Sequence, residues 1–125
     1  MALSAKAKKM VAEFTDGEPK LGDIKKHGKE IKKDHDLAME LWSTADFRLR
    51  LLATLIFDKK LLTENVVNEL AAEMLEHDND ECNQMADWLL ANQLMKDKKL
   101  VSLMEKWEKN PSPILRRLFW YHQAR

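Results

Sequence analysis

The chain has 125 residues, of which 45% are hydrophobic, with 21 Lys or Arg balanced by 21 Asp or Glu and only three Gly and three Pro. That length fits one domain with a core of moderate size, and the dominance of Ala, Leu, Met, Lys and Glu over alternating-polarity runs predicts an all-α fold. The single cysteine, Cys82, excludes an intramolecular disulfide and a cysteine-rich zinc site, and no run approaches the ~18 apolar residues of a membrane span.

The opening Met1-Ala2-Leu3-Ser4-Ala5-Lys6 lacks the apolar centre of a signal peptide, so a reducing, cytoplasmic setting is expected. The first helix is predicted from Ser4 to about Phe14, with Met10, Val11 and Phe14 apolar and Asp16-Gly17 as its stop. After a turn at Gly17-Glu18-Pro19-Lys20, a second helix places Ile24, Gly28 and Ile31 on a narrow apolar stripe. Lys25, Lys26, Lys29, Lys32 and Lys33 fill its remaining positions.

Asp34 is a candidate N-cap for a third helix carrying Leu37, Leu41 and Trp42, which Ser43-Thr44-Ala45-Asp46 interrupts. Phe47 to Phe57 is nearly continuous in apolar side chains, broken by Arg48, Arg50 and Thr54, so this helix is expected to be central and mostly buried. Thr63 caps the next, with Val66, Val67, Leu70, Met74 and Leu75, and His77-Asp78-Asn79-Asp80 ends it. Residues 81–95 read as a helix with Met85, Trp88, Leu89 and Leu94 inward, and Asp97 opens another with Leu100, Leu103, Met104 and Trp107 in a stripe. In Asn110-Pro111-Ser112-Pro113, Ser112 is a cap and Pro113 takes the first helical position, where its missing N–H costs nothing. The last helix is still apolar at Leu118, Phe119, Trp120 and Tyr121 and meets no stop before Arg125. A terminal helix with this much aromatic surface calls for a covering neighbour, so the chain is expected to be the N-terminal portion of a longer protein, and the apolar end near Trp120 is a candidate dimerisation surface.

Two stretches repeat. Met39-Glu40-Leu41-Trp42 leads into Leu49-Arg50, and Met104-Glu105-Lys106-Trp107, 65 residues on, leads into Leu115-Arg116. That offset is about two units of a helical-hairpin repeat, which predicts stacked helix pairs with Trp42 and Trp107 as core anchors. Charge is uneven along the chain: +4 over residues 1–33, −9 over 34–94 and +5 over 95–125. Basic ends of this kind attract phosphate, and ordinary solvated helix faces account for the same pattern.

No Gly-rich phosphate loop, Gly-x-Ser-x-Gly elbow or His-Glu-x-x-His pair is present. His27, His35, His77 and His122 have no partner at ligand spacing, so neither metal nor cofactor is implied. Cys82 stands near a helix start, where a lowered pKa is one reading and a small buried residue the other. Asp87, beside Trp88, and Arg117, among Ile, Leu, Phe and Trp, are charges next to apolar faces and call for partners; an Arg and an Asp on stacked helices satisfy each other.

The run Leu21-Gly22-Asp23-Ile24-Lys25-Lys26 followed by residues Glu30 to Thr44, then Arg50 to Ile56, Met85-Ala86-Asp87-Trp88-Leu89 and Lys106-Trp107, resembles the N-terminal part of the DNA alkylation repair family. The similarity spans residues ~20–125 and is most specific in its first block. The resemblance implies a HEAT-like α-α superhelix that binds duplex DNA, and in studied members a glycosylase that excises N3- or N7-alkylated purines. It implies that Asp87 and Arg117 occupy the catalytic Asp and Arg positions. The family's Trp, one turn before that Asp, is Asn83 here, and a second aromatic belongs to a later repeat that this chain lacks. Phosphate contacts from Lys25, Lys26, Lys29, Lys32, Lys33 and Arg116 are expected on the same basis. The alternative is a helical-repeat module that docks DNA or a protein without catalysis, with Asp87 and Arg117 as a structural pair.

Overall fold

The computed structural model describes residues 3–124. It is all-α: eight α-helices and three single-turn 3-10 segments, with no strand among the described residues. No described helix is long and apolar enough to cross a membrane. The chain divides into two compact units, Met1–Asp58 and Lys59–Arg125.

The first unit holds α1 (Ala5–Gly17), α2 (Leu21–Ile31), α3 (His35–Ser43) and α4 (Phe47–Ile56). Small polar side chains start three of them: Ser4, Asp34 and Asp46 accept from the N–H groups of Ala7, Leu37 and Leu49. Each cap answers one of the orphan donors of a helix start and contributes roughly 0.5–2 kcal/mol. On α2 the Lys20 N–H donates instead to the Asp23 carboxylate at 3.1 Å. As its composition predicts, α4 is the centre of this unit, burying Leu49, Leu51, Leu52, Ala53 and Ile56 together with Arg50 and Thr54. The Thr54 hydroxyl satisfies itself by donating to the Leu51 carbonyl at 2.6 Å.

The ends of α1 and α2 differ from the sequence reading. Helix α1 continues to Gly17, and the residue that turns out of it is Glu18, at φ 41°, with its N–H on the Phe14 carbonyl. Helix α2 stops at Ile31, so Lys32 and Lys33 lie beyond it, with Lys32 in the left-handed region at φ 67°. The cause is the next cap: Asp34 must leave the helical region to accept from Leu37, and its own N–H goes to the Ile56 carbonyl at 2.9 Å.

The second unit holds α5 (Glu64–Met74), α6 (Asn79–Asn92), α7 (Lys98–Met104) and α8 (Pro113–Gln123), with 3-10 turns at Lys59–Leu61, Leu94–Lys96 and Glu105–Trp107. Thr63, Asp78, Asp97 and Ser112 cap the four helices in order. The core includes Val67, Leu70, Ala71 and Met74 from α5, Met85, Ala86, Leu89 and Leu90 from α6, Leu100 and Met104 from α7, and Ile114, Leu115 and Leu118 from α8.

Three apolar assignments shift here. The stripe expected to run from Leu100 to Trp107 belongs to α7 and then to a 3-10 turn, whose tighter winding still brings Trp107 inward, 2% exposed. Leu75 falls one residue past the end of α5 and stands out in solvent. Trp88 is only half-buried, because Cys82, Met85, Ala86, Leu89 and Leu90 already fill the inner face of α6. The last helix is described to Gln123 with Ala124 as its cap, and the part of the expectation that fell on Arg125 lies outside the described residues.

Candidate functional site

The inner face of α6 is fixed by five buried residues, which leaves Asp87 on its flank with a side chain 37% exposed. Helix α8 starts from the Ser112 cap with Pro113 in its first turn, buries Ile114, Leu115 and Leu118, and so turns Arg117 to its own flank, 22% exposed. The two meet. Arg117 donates from Nε to Asp87 Oδ1 and from Nη2 to Oδ2, both at 3.1 Å, a two-pronged geometry that only a guanidinium offers a carboxylate.

A third side chain completes the arrangement. The Tyr121 ring lies 4.0 Å from the Arg117 guanidinium carbon, one helical turn along α8. Burial disfavours the Arg117 cation, but the hydrogen bonds and charge of Asp87, with a smaller contribution from Tyr121, outweigh it and hold the guanidinium above its ordinary value. Arg117 is therefore a fixed cation, clamped between a carboxylate and an aromatic face. The sequence reading treated Tyr121 only as apolar surface; its i, i+4 spacing from Arg117 was the available signal.

Asn83, four residues before Asp87 on α6, is half-buried and presents an amide where the resembled family has an aromatic. Cys82 is 5% exposed, and burial pushes its thiol up, against the opposing pull of the Arg117 charge. A buried thiol with a raised pKa is a poor nucleophile, so of the two readings of Cys82 the packing role holds. Among the described residues no group of three or more His, Cys, Asp or Glu could hold a metal ion.

The other expected contacts fall elsewhere. Arg116 faces the loop that leads into α8, where Nη1 donates to the carbonyls of Asn110 at 2.7 Å and Pro111 at 3.2 Å. Lys25, Lys26, Lys29, Lys32 and Lys33 are all exposed and belong to the first unit. The resemblance gives Arg117 the catalytic position and Arg116 a phosphate contact; α8 buries Leu115 and Leu118 and sends the two guanidiniums to different partners.

Among known proteins, the family model described as "DNA alkylation repair enzyme" matches residues 4–125. No curated protein and no solved structure matches. The match covers nearly the whole chain, including α6 and α8 with their paired Asp87 and Arg117, and on that ground the chain belongs to the DNA alkylation repair enzyme family.

Proposed function

We propose that the protein binds duplex DNA and hydrolyses the glycosidic bond of N3- and N7-alkylated purines, with Asp87 and Arg117 at the reacting sugar. The observation that carries this reading is the two-pronged, part-exposed Asp87–Arg117 pair, at the two positions that the family resemblance assigns to catalysis. Alkylation has already made the base a cation, so the C1′–N bond breaks with its electron pair going to the departing neutral alkylpurine. Water then adds its oxygen to C1′ and gives up a proton.

The protein has little left to supply. A carboxylate about 4 Å from the developing sugar cation contributes about 4 kcal/mol at an effective dielectric constant of about 20. The Arg117 charge, about twice as far away, removes about half of that. The net of about 2 kcal/mol corresponds to roughly a thirtyfold acceleration, which is modest, and modest help suits a leaving group activated in advance. Arg117 keeps Nε and Nη2 on Asp87 and offers its remaining edge to a phosphate oxygen. Lys25, Lys26, Lys29, Lys32 and Lys33 contact the phosphodiester backbone, joined by Arg116 through the nitrogens not used on its loop, which makes binding salt-sensitive and tolerant of sequence.

Release of N3-methyladenine and N7-methylguanine from alkylated duplex DNA, compared between the protein and its Asp87→Asn variant, tests the reading. Turnover that falls roughly thirtyfold or more in the variant supports it, and turnover unchanged by the substitution rejects the catalytic assignment. Asn83 in place of an aromatic, together with the engagement of both Asp87 oxygens, favours a second reading: a DNA-docking module without catalysis. DNA binding with no base release in the same assay selects that one. The exposed Trp120 and Tyr121 support self-association through α8, which sedimentation measures directly, and the single buried thiol suits a reducing, cytoplasmic setting.

A further inference from the structure

A cleft of about 740 Å³ opens within the second unit, between the Lys59–Leu61 turn with the start of α5 on one side and α7 on the other. Its lining includes five lysines, Lys59, Lys60, Lys98, Lys99 and Lys106, and shares no residue with α6 or α8, which carry Asp87 and Arg117. Two acids offset part of that charge. One of them, Asp97, is committed through Oδ1 to the N–H groups of Lys99 and Leu100, at 2.9 and 3.3 Å. The local balance is five cations to two anions, in a chain whose net charge is zero. The start of α5, capped by Thr63, adds the positive end of a helix of 11 residues to the same cleft.

The rest of the lining is of another kind. Leu62 and Leu100, 2% and 5% exposed, are core residues whose edges form part of the cleft, and Leu103 adjoins them. The four lysines at 60, 98, 99 and 106 are exposed, so the cleft has a cationic rim and an apolar lining beneath it. Its volume falls in the range of small-molecule sites, roughly 300–1,000 Å³. A carboxylate ligand brings one charge per group, whereas a phosphate brings up to about two and several acceptor oxygens, so a ring of ammonium point charges favours phosphate.

We propose that this cleft is a second ligand site that takes a nucleotide, with phosphates on the lysine rim and the flat apolar part of the base or sugar against Leu62, Leu100 and Leu103. The nucleotide is either free or part of a strand. The site stands independently of the glycosylase reading, since it uses none of the same side chains.

Amide chemical shifts of the whole chain, titrated in parallel with ADP, pyrophosphate and a short single-stranded oligonucleotide, test it. Saturable shifts at Thr63, Ser102 and Leu103 are expected with ADP or the oligonucleotide, and whichever binds tighter identifies the source. In a Lys98→Gln/Lys99→Gln/Lys106→Gln variant, binding weakens by about tenfold, as three exposed-cation contacts are worth together. In a Lys8→Gln/Lys9→Gln/Lys20→Gln variant of equal charge change, at exposed lysines outside the cleft, it weakens less than about twofold. Equal weakening in both variants, or shifts that avoid the cleft with every probe, overturns the proposal. Pyrophosphate binding as tight as ADP overturns the part given to the leucines. A thermal melt of each variant separates loss of binding from loss of fold.

Discussion

Arg50 lies with its guanidinium carbon 4.8 Å from the centre of the Trp42 ring and donates from Nε to the Trp42 carbonyl at 2.9 Å, so one side chain fastens α4 to the end of α3. Both residues are 2% exposed. A desolvated cation over an indole is worth about 2 kcal/mol and a charged hydrogen bond roughly 1.5–3 kcal/mol before burial costs are subtracted. Lysine cannot make both contacts at once, because its charge is a point at the end of a flexible stem. Arg50→Lys is therefore expected to destabilise the fold by about 2–3 kcal/mol in urea unfolding. Arg116, at the matching position of the second copy, holds the loop carbonyls of Asn110 and Pro111 and is half-buried, so Arg116→Lys is expected to cost no more than about 1 kcal/mol. Equal losses in the two variants would contradict this account.

The comparison shows what the repeated stretch made legible and what it did not. Trp42 and Trp107 were readable as core anchors because both close an apolar-periodic segment, and both are buried. Asp34, Thr63 and Ser112 were readable as caps because each precedes such a segment and has a side chain that accepts a hydrogen bond. The pairing of Asp87 with Arg117 was foreseen from the cost of placing a charge beside an apolar face. Tyr121 beneath Arg117 is only half legible: the i, i+4 spacing puts the two side chains within reach, but the rotamers that packing leaves open decide whether they stack. Composition extends α2 over Lys32 and Lys33, because nothing in it separates a helix end from a helix interior among lysines; the left-handed turn at Lys32 is set by the cap that follows it.

Gly28 sits where α2 crosses α4. A Cβ built there would stand 2.7 Å from Leu55 Cδ1 and 3.0 Å from Leu55 Cβ, the second of these anchored to the α4 backbone. Gly28→Ala gains about 1 kcal/mol of helix propensity but loses roughly 1–3 kcal/mol to overpacking. Because Leu55 Cδ1 can rotate away whereas Cβ cannot, the loss is expected to win by about 1 kcal/mol. Gly22→Ala, on the same helix with nothing within 4 Å, is the control and is expected to stabilise. If both substitutions stabilise, α2 is not held at the distance described.

Lys6 Nζ meets Asp34 Oδ2 at 2.8 Å while Asp34 Oδ1 caps α3 at the Leu37 N–H. The Lys6 hydrogen bond holds the Asp34 carboxyl below its ordinary 3.8, and the same bond raises Lys6 above 10.5. A depressed acid contributes stability that is present above its unfolded value and lost as pH falls through its folded one, below 3.8. A raised base contributes stability that is present below 10.5 and lost as pH rises past its folded value. The difference in melting temperature between the protein and its Lys6→Ala variant is thus expected to be small and flat from about pH 5 to 9, shrinking at both extremes. Asp34→Ala also removes the cap and is expected to cost about 0.5–2 kcal/mol at neutral pH, well beyond the effect of Lys6→Ala. Equal effects of the two substitutions would mean that Asp34 does not cap α3.

Tyr121 is the part of the candidate site that is open to test without any assumption about substrate. The Asp87–Arg117 pair is part-exposed, so its coupling free energy in a double-mutant cycle is expected to be about 0.5–1 kcal/mol, set largely by how well the guanidinium is held in the carboxylate plane. The ring 4.0 Å away does that holding. Tyr121→Phe keeps the aromatic face and should leave the coupling intact, whereas Tyr121→Leu removes it and should lower the coupling by about half. Global stability should move by less than about 1 kcal/mol in both, because Tyr121 is 45% exposed. On the proposed glycosylase reading the same pair of substitutions also separates in the methylpurine-release assay, with phenylalanine near the parent rate and leucine about threefold to tenfold slower in kcat, since a mobile Arg117 costs orientation as well as charge placement. A leucine variant with undiminished coupling would show that Arg117 is fixed by Asp87 alone and that the aromatic face has no part in positioning it.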